Sequence, residues 1–216
     1  MIRTVFFCAF LSFFAVSALA DNPVDIPDEN LKAAIEAELG ISNPNATDML
    51  ELTELSAAEK DIVDLTGIEY ATNLQELYLD GNIISDISAL SVLTNLQNLG
   101  LNNNLISDIS AIAGLTNLQR LGLENNQINN ISVLTGLINL QWLFLQGNNF
   151  SDISALASLT NLQRLGLENN QVDDISVLTG LTNLNWLNLQ GNIINDISAL
   201  AELKNLQTHL FCGAGR

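Results

Sequence analysis

The sequence predicts an α/β repeat solenoid, in which short parallel strands alternate with 3₁₀ or irregular turns along one axis. Asparagines recur every 22 residues, and each one closes the same string, LxxLxLxxN. A period of this length is typical of folds in which each unit is one supersecondary turn that buries its apolar face only by stacking on its neighbours. The asparagines that close the string are Asn82, Asn104, Asn126, Asn148, Asn170 and Asn192.

The spacing of the apolar residues predicts which part of each unit is a strand. Counted from Leu74 as position 1, positions 1, 4 and 6 are apolar, and so are positions 11, 14, 17 and 20. Alternation at positions 4 and 6 predicts a short strand with one face inward. The later spacing of three favours 3₁₀ or irregular turns on the convex side over a long α-helix. The frame predicts seven 22-residue repeats in residues 52–205, the first with Lys60 in place of the asparagine.

Three polar columns have structural explanations. The position 9 asparagines follow the strand, and their amides suit them to bond buried backbone groups of adjacent turns. Position 13, which is Asp86 in the first clear unit, predicts an N-cap on a short helical turn. The position 22 asparagines, such as Asn95, precede each strand and are expected to shape its entry turn.

The N-terminal region predicts a removable leader and a cap. Residues 1–20 combine a basic start, an apolar stretch and a small-residue cleavage site, which indicates a secretory signal peptide. Residues 21–51 predict a helical N-terminal cap that covers the first turn. Its first helix is capped by Asp28 and closed by Gly40, and a second short helix starts at Thr47.

The C-terminal region departs from the repeat. Residues 206–216 predict a partial repeat or an irregular tail without a clear cap, because His209 stands where leucine is expected. Either one inserted residue shifts Leu210 and Cys212 into the core positions, or the end is truncated or altered. An uncovered last turn predicts self-association through this end. Cys212 is the one cysteine outside the leader, so no internal disulfide is expected.

Composition and motifs exclude several functions. Seven basic residues against 24 acidic ones make nucleic acid and anionic lipid poor partners, and no stretch beyond the leader is apolar enough for membrane insertion. We expect no catalytic residues and no cofactor, because the chain lacks a nucleophile–base pair and a phosphate loop. Acidic residues such as Asp173 and Asp174 lack the dense oxygen cage of a strong Ca²⁺ site, so no metal is expected.

The units, for instance LQELYLDGNIISDISALSVLTN (74–95), resemble bacterial leucine-rich repeats of the internalin type. The segment PDENLKAAIEAELG (27–40) is similar to the helical cap that precedes such arrays. The resemblance implies an extracellular arc with a parallel β-sheet on its concave face, which binds another protein. It also implies a bacterial protein that is secreted, at the cell surface or in the periplasm once the leader is removed.

The concave face is the predicted partner-binding site, since positions 3, 5 and 7 point away from the core. Trp and Arg alternate there, so guanidinium groups can stack between indoles, and glycines beside the arginines leave room for Phe144 and a ligand. Two interpretations stay open: a ladder that only stiffens the sheet, or binding anchors. A lectin-like surface in which Trp142 and Trp186 stack on sugars is the alternative to a protein partner. The candidate residues are Tyr78, Arg120, Glu124, Trp142, Phe144, Gln146, Arg164, Glu168, Trp186 and Gln190.

Overall fold

The computed structural model describes residues 22–210, and these form a solenoid with one sheet. One α-helix, α1 (Glu29–Leu39), precedes eight parallel strands that pair in chain order. This confirms the predicted fold class. The strands β1 to β8 are Glu54–Ser56, Glu76–Tyr78, Asn98–Gly100, Arg120–Gly122, Trp142–Phe144, Arg164–Gly166, Trp186–Asn188 and Thr208–Leu210. Short 3₁₀ helices lie at Asp48–Glu51, Ile68–Tyr70, Ser88–Val92, Ser110–Gly114, Ser132–Gly136, Ser154–Ser158, Ser176–Gly180 and Ser198–Glu202.

The strands pair without a register shift, so equivalent residues of successive repeats are neighbours. Leu77 pairs with Leu99, and Leu99 pairs with Leu121. Their side chains are at most 2 % exposed and belong to one core that runs the length of the solenoid. Because every repeat adds the same layer, a feature of one repeat lies directly beside its counterpart in the next.

The position 9 asparagines form a buried ladder, as predicted. Asn148 donates from Nδ2 to the carbonyl oxygens of Leu123 and Leu145, both at 2.9 Å. Its Oδ1 accepts from the backbone N–H of Ile128 at 3.0 Å. Each such amide therefore bonds its own turn to the preceding turn. Asn170 is different, because its shielded Oδ1 has no hydrogen-bond partner among the described residues.

The position 13 acids lie one residue before the N-cap position that the sequence predicted for them. Oδ1 of Asp86 accepts from the N–H of Ser88, which begins the 3₁₀ helix, while Ile87 occupies the cap position. This is an Asx turn that leads into the helix. The hydrogen bond from the Ser88 backbone lowers the pKa of Asp86.

The position 22 asparagines form a second ladder, on the exposed side of the entry turns. Asn95 Nδ2 donates to the carbonyl oxygen of Thr72 at 2.9 Å, and Asn117 Nδ2 donates to that of Thr94 at 2.8 Å. These residues therefore connect neighbouring turns as well as shaping their own.

The N-terminal cap is bonded to the first repeat through Asp28. Oδ1 of Asp28 accepts from the N–H groups at the start of α1, and Gly40 ends the helix with a φ of 69°. Oδ2 accepts from the N–H of Val63 at 2.8 Å and of Asp64 at 3.2 Å. Burial raises the pKa of Asp28, but these backbone hydrogen bonds outweigh burial, so the pKa is lowered. The second helix begins after Thr47, as predicted.

The last strand continues the register of the array. His209 pairs with Leu187, so the backbone through residue 210 carries no inserted residue, and the insertion alternative is wrong there. Residues 1–20, the predicted leader, and Cys212 lie outside the described residues. Among residues 22–210, no helix has both the length and the apolar character that a membrane crossing needs.

Candidate functional site

The concave face is built from the outward side chains of the strands. In β5 the burial alternates, with Leu143 fully buried and Trp142 and Phe144 half-buried on the other side. Arg120 in β4 and Arg164 in β6 are exposed and pair in register with Trp142. The short rigid strands therefore present two arginines and two aromatic residues on adjacent positions of one surface.

Arg120, Trp142 and Arg164 form a stacked group, which we call the Arg–Trp cluster. The Cζ atom of Arg120 lies 3.9 Å from the centroid of the Trp142 ring, and that of Arg164 lies 4.6 Å away. The two guanidinium groups approach the same indole from strands on either side. Each contact is worth roughly 0.5–1 kcal/mol at an exposed site. The predicted stacking is present, centred on one tryptophan.

Trp186 has a different neighbour from the one predicted. Its ring meets Phe144 edge to face, with centroids 5.9 Å apart and planes at 68°. Among the described residues no arginine stacks on Trp186. The sequence alternation therefore yields two aromatic groups, the Arg–Trp cluster and the Phe144–Trp186 pair, rather than one continuous stack.

The glycines of the concave face do not leave room for a ligand, and that prediction was wrong. A Cβ on Gly122 would lie 2.7 Å from Nδ2 of Asn102, and one on Gly166 would lie 2.6 Å from Oε1 of Gln146. Position 7 side chains of the preceding repeats fill this space. The glycines thus allow polar side chains to lie flat on the sheet.

These position 7 side chains form a hydrogen-bonded row across the repeats. Nε2 of Gln146 donates to Oε1 of Glu124 at 3.0 Å, and Nδ2 of Asn188, a position 5 residue, donates to Oε1 of Glu168. Burial, followed by the charge of Glu124, raises the pKa of Glu168. Oε1 of Gln146 and Oε2 of Glu168 are shielded and without partners in the described part of the chain. Glu124, Gln146 and Glu168 are therefore half-buried members of a surface network.

The other two candidate residues lie at the sides of this region. The hydroxyl of Tyr78 donates to Oε2 of Glu76 at 2.7 Å, and this hydrogen bond is the main cause that raises the pKa of Tyr78 to about 12. Gln190 is half-buried beside β7, and its backbone N–H donates to Oδ1 of Asn188. Tyr78 is thus two strands away from the Arg–Trp cluster.

Sequence reasoning missed two features of the surface. Asn188 is 6 % exposed, and its side chain donates a hydrogen bond to Glu168. Its position on the concave face had predicted an exposed side chain. At the start of the strands, the position 22 asparagines and position 2 glutamines line a groove of about 720 Å³ that runs from Asn117 to Asn185. The recurring NLQ string is the signal for this groove. Its asparagines bond the neighbouring turn, so the groove belongs to the second ladder.

No metal centre is present in the described part of the chain. Residues 22–210 contain no group of three or more His, Cys, Asp or Glu side chains that could hold an ion. The groups that this surface presents are aromatic rings, guanidinium groups, amides and carboxylates.

This fold and surface define a leucine-rich-repeat protein. The family model described as leucine-rich repeats, in two copies, matches residues 94–136 and 138–180. Internalin C2 of Listeria monocytogenes is 34 % identical, and the match covers 88 % of this chain and 97 % of that one with a TM-score of 0.69. The chain belongs to the bacterial internalin-like leucine-rich-repeat proteins.

A second solved structure shows the same architecture. A leucine-rich-repeat protein of Leptospira interrogans is 30 % identical, and the match covers 66 % of this chain and 38 % of that chain with a TM-score of 0.63. A search of curated proteins found no match.

Proposed function

We propose that this protein is a secreted, non-catalytic recognition module that binds a protein partner through its concave face. The supporting observation is the half-buried Trp142 and Phe144 on β5 and Trp186 on β7, beside two exposed arginines. Tryptophan and arginine are the residue types most enriched at binding hot spots. They lie on strands held by the stacked sheet and the asparagine ladder, so little backbone freedom is lost on binding.

The stacking within the Arg–Trp cluster favours a protein over the lectin-like alternative. A sugar ring stacks on a free aromatic face, whereas Trp142 has guanidinium groups against it from β4 and β6. In the Phe144–Trp186 pair, the edge of one ring contacts the face of the other. The aromatic surface is therefore more suited to irregular side chains than to flat sugar rings.

The proposed function also includes export from the cytoplasm and a role without catalysis. The leader of residues 1–20 supports transport out of the cytoplasm, to the periplasm, the cell surface or the cell exterior. The concave face carries a repeated surface pattern rather than one singular constellation of reactive groups. Self-association through the C-terminal end remains a separate prediction.

The proposal is tested by affinity capture with the mature chain, residues 21–216, from a membrane-protein extract, followed by mass spectrometry. Trp142→Ala/Trp186→Ala should lose the captured protein. The matched control Val92→Ala/Ile138→Ala removes two half-exposed apolar side chains from positions outside the strands and should retain it. Equal capture by both variants, or retention of the wild type by a plain polysaccharide matrix alone, would contradict the proposal.

A further inference from the structure

The outward side chains at position 3 form a column with separated charges. The register of β1 to β7 places these residues side by side on consecutive strands. The column, which we call the bipolar column, reads Glu54, Glu76, Asn98, Arg120, Trp142, Arg164 and Trp186. Its side chains are negatively charged on β1 and β2 and positively charged on β4 and β6. A bound segment therefore meets negative charge at one end of the column and positive charge towards the other.

The positive end is exceptional in this chain. The protein has 7 basic residues against 24 acidic ones, yet Arg120 and Arg164, the two arginines of residues 22–210, flank the same indole. Within the described residues neither guanidinium is paired with a carboxylate. Two positive charges therefore lie close together on an acidic protein, and residues 22–210 supply no carboxylate partner for either of them.

The acidic residues of the same repeats do not neutralise these arginines. Glu124 and Glu168 lie four residues further along the chain, a distance of about 13 Å in extended backbone. Glu124 already accepts a hydrogen bond from Gln146 at position 7, and Glu168 accepts one from Asn188 at position 5. An internal ladder that served only to stiffen the sheet would not require two unpaired cations.

Stacking on Trp142 also prepares the arginines to bind. A guanidinium that lies over an indole keeps its N–H groups free at its edge, where they match a carboxylate in a two-pronged contact. Because the ring restricts the arginine side chains, less conformational entropy is lost when an anion binds.

We propose that the partner of the concave face presents a carboxylate to Arg120 and Arg164, next to an apolar side chain on the aromatic residues, and a basic group to Glu54 and Glu76. This inference rests on the proposed function and names the chemistry of its partner. Glu76 and Arg120 are two strands apart, about 10 Å, which an extended peptide spans in about three residues. The matching segment thus has a basic residue, then an acidic residue about three positions away, then an aromatic or aliphatic residue.

A display library of random dodecapeptides, selected on the immobilised mature chain, tests this inference. The wild type should enrich peptides with the basic–acidic–apolar order. Arg120→Gln/Arg164→Gln should bind a synthetic copy of an enriched peptide at least about tenfold more weakly, with a smaller dependence of affinity on salt. The control Lys60→Gln/Lys204→Gln removes two exposed positive charges outside the column and should bind like the wild type.

The outcomes separate the two proposals. Enriched peptides that require Trp142 and Trp186 but bind Arg120→Gln/Arg164→Gln normally would overturn the charge inference and leave the proposed function standing. Peptides that bind Trp142→Ala/Trp186→Ala as well as the wild type would overturn both. A selection that enriches no peptide on the wild type counts against both as well. Circular dichroism of each variant confirms that a loss of binding is not a loss of fold.

Discussion

Asn148→Ala tests whether the buried amide ladder supports the solenoid. The substitution leaves the N–H of Ile128 without its acceptor. The carbonyl groups of Leu123 and Leu145 lose one donor each but keep those of Asn126 and Asn170. A buried polar group without a partner costs about 1–3 kcal/mol, so we expect a loss of about 1–3 kcal/mol in the free energy of unfolding.

The chain offers a matched control in Asn170→Ala. Asn170 donates to the carbonyl oxygens of Leu145, Leu167 and Glu168, but its Oδ1 accepts no hydrogen bond among the described residues. One fewer backbone group is stranded by its removal, and the loss should be smaller by about 1–2 kcal/mol.

Urea unfolding followed by circular dichroism measures both losses, provided that the slope of free energy against urea stays constant between the variants. Equal losses for Asn148→Ala and Asn170→Ala would refute the role given to the Oδ1 acceptor. A loss below about 1 kcal/mol for Asn148→Ala would refute the ladder as a source of stability.

Two further substitutions probe single carboxylates. Asp28→Asn keeps an oxygen to cap α1 but removes the acceptor for Val63 and Asp64; hydrogen exchange of these two amides should therefore accelerate about tenfold. The stability that Asp28 contributes is present above its ordinary pKa of 3.8 and is lost as the pH falls through its lowered folded pKa; the variant and the wild type should thus converge in acid. Glu168→Gln should raise the urea midpoint at neutral pH, because the raised pKa means that the ionised form opposes folding. No increase should appear below the ordinary pKa of 4.5, and an equal increase at both pH values would contradict this cause.

The period of 22 residues determined the architecture from the sequence alone. Because each unit places apolar residues at the same positions, one layer defines every layer, and Leu77, Ile84 and Leu90 could be assigned to the core before any contact was known. The ladder role of Asn148 followed from the same argument, since a polar residue that recurs among core positions must bond the backbone. The helix that Asp28 begins and Gly40 ends followed from local capping chemistry.

The composition of the concave face was predictable, but its contacts were not. The period placed Arg120, Trp142, Phe144 and Trp186 on one surface, yet only the tertiary structure paired Trp186 with Phe144 and covered Gly166 with Gln146. The physical reason is that the backbone register follows from a repeated core, whereas an exposed side chain chooses its rotamer among neighbours on three strands. That choice depends on differences of about 1 kcal/mol, which no linear pattern of residues encodes.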